Sequence, residues 1–174
     1  MINEKMEKVF NEQINKELYS EYLYLGMKAF FAELNLKGFV NWFNVQVQEE
    51  HAHAMGMYDY LLERGGKIEL MAIDKPKIKG TTPLEIFEQV LKHEEYVTSR
   101  INLLMDVAEE VKDRAALSLL DWYLKEQVEE ESNVSLIFLA VLSPFIIPLK
   151  LEFSFIVISG TACNTRLAAS DIKS

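Results

Sequence analysis

Four stretches of this chain carry acidic side chains where apolar ones belong. In one, Phe87, Val90, Val97, Ile101, Leu104 and Ala108 recur at alternating spacings of three and four, the stripe of an amphipathic helix, and Glu94 stands inside it. In a second, Glu50 and His53 fall among Phe43, Val47, Ala54, Met57 and Leu61. In a third, Ala116, Leu120 and Tyr123 lead to Gln127 and Glu130. In a fourth, Phe10, Ile14, Tyr24 and Phe31 flank Glu17, with Tyr24 two turns beyond it on the same face. A carboxylate buried among such neighbours costs several kcal/mol or keeps its proton, and four together also repel one another. A bound multivalent cation removes both penalties by supplying the missing countercharge. Carboxylates joined by a single imidazole favour Fe, Mn or Zn over softer metals, and a carboxylate set between two groups of ligands can bridge two ions. The residues thus predict a di-metal carboxylate site. Two iron ions held close together there could pass two electrons jointly to O2.

Helices must bring these groups together. Seven glycines and four prolines in 174 residues leave room for long helices. The periodic segments end at three breaks: Asn35-Leu36-Lys37-Gly38, Gly65-Gly66 through Thr82, and Lys112-Asp113. Gly65-Gly66 reads as a helix C-cap. Thr82-Pro83-Leu84-Glu85 reads as a capping box with proline at the first helical position, and Asp113 as the next N-cap. The prediction is four helices near 3–35, 38–65, 83–111 and 113–133, the last free to extend further. The connection from Gly66 to Thr81 has 16 residues and reaches at most ~53 Å at about 3.3 Å per residue. A 28-residue helix is only ~42 Å long. This loop can run the length of a bundle and set the second and third helices parallel, whereas the short first and third connections make antiparallel pairs. The expected fold is all-α, a four-helix bundle with one long crossover between helices 2 and 3. Its register agrees with the chemistry, since Glu94 and Glu130 each lie about 18 residues from the Lys112-Asp113 turn.

Charge and cysteine content narrow the function classes. Eighteen Lys and Arg against 27 Asp and Glu give a net charge of −9, which suits a protein that gathers cations and argues against nucleic acid as a partner. Cys163 is the one cysteine. It cannot build an internal disulfide, a four-cysteine zinc site or a cysteine-ligated iron–sulfur cluster, and it fits a reduced cytoplasm. The opening MINEKMEKVF lacks the apolar core of a secretory signal.

The segments NKELYSEYLYLGM (15–27), FVNWFNVQVQEEHAHAM (39–55), KHEEYVTSRI (92–101) and DWYLKEQVEEES (121–132) resemble the prokaryotic non-haem ferritins, and the resemblance extends over residues 1–133. It implies the ferritin-like bundle and ferroxidase chemistry, in which Fe(II) is oxidised by O2 or peroxide and stored as ferric oxyhydroxide. It also implies a homo-oligomeric cage of 24 subunits. Carried over residue by residue, Glu17, Glu50 and His53 would hold the first iron. Glu50 would bridge to a second iron held by Glu94 and Glu130, with Gln127 as a ligand or hydrogen-bond partner. Glu49, Glu126 and Glu129 would form a third iron site sharing Glu130. Tyr24 would hydrogen-bond a ligand and could give an electron, and Trp122 is a further redox candidate. A haem-binding relative would need Glu-x-x-His in the fourth helix, where this chain reads Gln127-Val128-Glu129-Glu130. Met55, Met57 and Met71 need no haem to explain them.

Blander readings apply to the neighbours. His51 is expected exposed on the side away from His53, His93 at the surface or an interface, and Glu131 solvated. Tyr19 and Tyr22 read as core or interface aromatics. From residue 134 the charge nearly vanishes: 134–174 holds only Lys150, Glu152, Arg166, Asp171 and Lys173. This atypical apolar segment, broken by Pro144 and Pro148, stands where the family has a fifth helix. Leu136 to Leu149 is 14 residues, short of the ~20 that span a membrane. The tail keeps a second reading open, a non-catalytic, metal-buffering bundle unable to assemble a full cage.

Overall fold

In a computed structural model, which describes residues 1–142, the chain forms four helices: α1 (Glu4–Glu33), α2 (Lys37–Glu63), α3 (Pro83–Glu110) and α4 (Arg114–Leu142). Local chemistry sets the boundaries. Asn3 accepts from the Lys5 N–H at 2.9 Å. Thr82 and Glu85 form the capping box ahead of α3, and Asp113 accepts from the Ala116 N–H at 3.1 Å. The three preceding helices end alike. Asn35, Gly65 and Lys112 take φ of 55°, 69° and 57°. The next N–H then returns to a carbonyl five residues back: Leu36 to Phe31, Gly66 to Leu61 and Asp113 to Ala108. This is the Schellman closure, and it falls at the three breaks the sequence marks.

The long connection follows α1. The Lys67 N–H donates to Glu7 at 2.9 Å, the Glu69 N–H to Asn11 at 2.7 Å, and Asn15 donates to the Ala72 carbonyl at 3.1 Å. Farther along, Ile78 lies so close to Gly26 that a Cβ there would come within 2.8 Å of its Cδ1. The Lys79 N–H then donates to Gln89 of α3. The loop thus climbs from the start of α1 to its last turns, and α2 and α3 are parallel. Among the described residues, no helix is long and apolar enough to cross a membrane.

Two apolar cores fill the bundle. One contains Phe10, Ile14, Met57, Leu61, Val97, Ile101, Leu104, Leu120 and Tyr123. The other contains Leu23, Met27, Phe31, Phe43, Phe87, Val90, Val134 and Ile137, with Phe31 and Phe43 stacked at 5.3 Å. A layer of buried polar side chains lies between them in the sequence of every helix. The fourth helix crosses the composition change at residue 134, and Val134 and Ile137 are buried in the second core. Pro144, Pro148 and the rest of the apolar tail lie outside the described residues.

Candidate metal centre

The polar layer collects Gln13, Glu17 and Ser20 from α1, Gln46, Glu50 and His53 from α2, Glu94 from α3, and Gln127 and Glu130 from α4, all buried. Each replaces an apolar residue in its helix's inward stripe, so the packing that seals the two cores also seals this layer. One ligand atom from each of Glu17, Glu50 and His53 lies within 4.8 Å of the others.

Tyr24 donates its phenolic hydrogen to Glu94. Gln127 Nε2 donates to Glu94 Oε2 at 3.2 Å. Gln46 Nε2 reaches Glu130 Oε1 at 3.4 Å and also donates to Glu49. These contacts leave a ring of buried polar atoms without hydrogen-bond partners: Glu17 Oε2, Gln46 Oε1, Glu50 Oε2, His53 Nε2 and Glu130 Oε2. Buried polar atoms are nearly always paired, so four oxygens and one ring nitrogen left open in one layer require an explanation. A cation supplies it.

The electrostatics agree. Burial, then the charges of Glu94 and Glu17, hold Glu50 well above the usual carboxylate range. Burial and the charges of Glu94 and Glu49 do the same to Glu130. Glu94 is pushed up to about 7 by burial, against the opposing hydrogen bonds of Tyr24 and Gln127. Glu17 is raised by burial, with Gln13 opposing. Burial lowers His53 to about 4, so its imidazole is neutral and its lone pair free near neutral pH. This is the donor chemistry of a hard or borderline divalent metal.

The outer acids are less gathered. Glu49 is half-buried and pushed up to about 7 by burial and by the charges of Glu126 and Glu129, so the three are neighbours. Glu126 is raised by burial and by Glu129, which is itself exposed. Among the described residues, their oxygens do not converge as tightly as the ligand atoms of Glu17, Glu50 and His53. Residues 7–138 match the family model of the ferritin-like domain.

The chain belongs to the ferritin family.

It is 42% identical over 133 residues to a bacterial non-heme ferritin of Bacteroides fragilis, covering 76% of this chain and 84% of that one. It is 40% identical over 132 residues to one from Staphylococcus saprophyticus, covering 76% and 79%. Among solved structures it resembles the open pore ferritin of Archaeoglobus fulgidus with a TM-score of 0.79 at 40% identity, over 95% of this chain and 99% of that one.

Within this ferritin-family bundle, two buried groups were missing from the sequence reading. Gln13 donates to Glu17 Oε1 at 2.8 Å, and Gln46 joins Glu49 to Glu130. Each stands one turn before a predicted ligand, Glu17 or Glu50, in the same stripe. His93, expected at the surface or an interface, packs on the flank of α3 against α1. It is half-buried, bonded to Ser20 Oγ at 2.8 Å, edge-on to Tyr24, and lowered to about 4 by burial. Glu131 is half-buried and accepts from Thr98. His51 is exposed, 3.1 Å from Glu21. Trp122 sits edge-on to His53 with ring centres 5.7 Å apart.

Proposed function

We propose that this chain is an iron-storage ferritin with ferroxidase activity. Fe(II) is its substrate, bound in pairs in the polar layer and oxidised by O2 or peroxide, and ferric oxyhydroxide is deposited inside a cage. The observation that carries this reading is the ring of unpartnered buried atoms on Glu17, Gln46, Glu50, His53 and Glu130. Glu17, Glu50 and His53 take the first Fe(II). Glu50 bridges to the second, which Glu94 and Glu130 hold with Gln127 beside them. His53 is ready as a neutral ligand, whereas Glu50, Glu94 and Glu130 give up protons as the metal enters. Each Fe(II) loses one electron. O2 takes both electrons and two protons and leaves as hydrogen peroxide, and the ferric ions hydrolyse. Tyr24, donating to Glu94, orients that ligand and can supply a further electron. Glu49, Glu126 and Glu129 form a third, outer iron site on the way to the cavity.

Stopped-flow absorbance tests the site: Glu50→Ala should abolish fast Fe(II) oxidation, and wild-type rates in that variant would overturn the assignment. Size-exclusion chromatography of iron-loaded protein tests storage. A particle of several hundred kilodaltons supports the cage. A species near the 20.1 kDa chain mass or twice it supports the metal-buffering bundle instead.

A further inference from the structure

Glu17 is held by a side chain whose own orientation is dictated from outside the metal layer. Gln13 Nε2 donates to Glu17 Oε1 at 2.8 Å, and Gln13 is fully buried. An amide has two ends that differ only in hydrogen-bonding sense, and unconstrained it could turn either toward the carboxylate. Here one end faces Arg100 of α3, whose Nε lies 3.3 Å from Gln13 Oε1. A guanidinium has donors only, so the atom facing it must be the carbonyl oxygen and the NH2 must face Glu17. Arg100 is fixed in turn, donating to Glu12 Oε2 at 3.0 Å with its side chain 17% exposed.

The geometry points to Arg100 and Gln13 as a positioning pair for Glu17. Arg100 sets the sense of the Gln13 amide, Gln13 occupies Glu17 Oε1, and the buried Oε2, which has no hydrogen-bond partner, is left available to a metal shared with Glu50 and His53. This inference rests on Glu17 being a ligand, as proposed above. It adds that the ligand's orientation is controlled from α3 by a residue that touches no metal. Outer partners of metal ligands commonly set affinity in this way, by 10–100-fold.

The role separates from a charge effect by sign. A nearby cation acting through space would repel a divalent metal, so its removal would tighten binding. Loss of a positioning residue loosens it. Anaerobic Co(II) titration of the full-length protein, followed by visible absorption, measures this with no turnover. Gln13→Leu and Arg100→Leu should each weaken the tighter Co(II) site by about tenfold, and Arg100→Lys, which still offers only donors, should bind within about twofold of wild type. Because Arg100 acts through Gln13, Arg100→Leu should add nothing in a Gln13→Leu background. Wild-type affinity in both leucine variants, tighter binding in Arg100→Leu, or a full Arg100→Leu effect in the double variant would each overturn the inference. Should Gln13→Leu fail to fold by circular dichroism, the Arg100→Leu and Arg100→Lys pair still decides it. A wild-type protein that takes up no Co(II) would instead count against the metal site itself.

Discussion

Tyr123 of α4 donates its hydroxyl to the backbone carbonyl of His53 in α2 at 2.9 Å. The bond ties two helices together at the level of the imidazole, and Gly56 makes room for it: a Cβ there would lie 2.6 Å from the Tyr123 hydroxyl oxygen. Two effects therefore oppose in Gly56→Ala. Helix propensity favours alanine by about 1 kcal/mol. Overpacking costs about 1–3 kcal/mol, and displacing the hydroxyl from the His53 carbonyl costs about 1 kcal/mol more. The variant should be less stable by about 1–3 kcal/mol in urea unfolding of the metal-free protein. A stabilised variant would show that the tyrosine swings aside without cost.

Glu50 is crowded by acids, 3% exposed and facing Glu17, Glu94 and Glu130. Its neutral isostere should therefore help the empty protein and harm the loaded one. In metal-free thermal unfolding near neutral pH, Glu50→Gln should gain roughly 1–3 kcal/mol, since the buried acid must either keep a proton the unfolded chain has lost or carry a desolvated, repelled charge, and the amide does neither. With Co(II) at a hundred times the wild-type Kd, wild type should gain about 2.7 kcal/mol by linkage, and Glu50→Gln far less. The order of the two proteins should narrow or invert on adding metal. Equal gains in both would remove Glu50 from the ligand set.

The carboxylate positions were legible because a charge inside a helical stripe violates the period that builds the core. Gln13 and Gln46 lie in the same stripes but are neutral and compatible with a helix, so nothing in composition singles them out. Only their place one turn before Glu17 and Glu50 does so. The contacts of His93 were not legible for a different reason. The stripe of α3 reports the average direction of the core, and His93 lies off it, on the flank that meets Ser20 and Tyr24 of α1. The crossover was legible from loop length alone. Its course along α1 was not, since it depends on Asn11 and Asn15, polar residues that a periodicity reading treats as surface.

The change in composition at residue 134 likewise describes the surface more than the helix. The α4 stripe of Gln127 and Glu130 continues at the same spacing through Val134 and Ile137, which is 1% exposed. Ile137→Ala should therefore behave as a core truncation and cost about 2–5 kcal/mol in urea unfolding. Leu139, 60% exposed, is the control, and Leu139→Ala should change stability by less than about 1 kcal/mol in a single chain. If both variants were equally mild, residues beyond Glu130 would contribute nothing to the bundle.

The buried acids and histidines pull stability in opposite directions with pH, and the acids should prevail. Glu94 and Glu49 titrate near 7 when folded against 4.5 as their ordinary value, and Glu17, Glu50, Glu126 and Glu130 are raised as well. Between 4.5 and 7 the unfolded chain has lost the Glu94 and Glu49 protons while the folded chain keeps them, so rising pH favours unfolding, and the other raised acids add to the slope in the same direction. His53 and His93, lowered from 6.5 to about 4, act with the opposite sign, stabilising the fold as pH rises through that window. Six raised acids outweigh two lowered imidazoles, so the metal-free protein should lose stability as pH rises from about 4.5 to 7, with the histidines blunting the slope. Metal reverses the trend, because its ligands must be deprotonated to bind and affinity climbs with pH. Urea unfolding at several pH values, with chelator and then with Co(II), measures both slopes. Parallel slopes in the two series would mean that the titrating acids and the metal do not share a site.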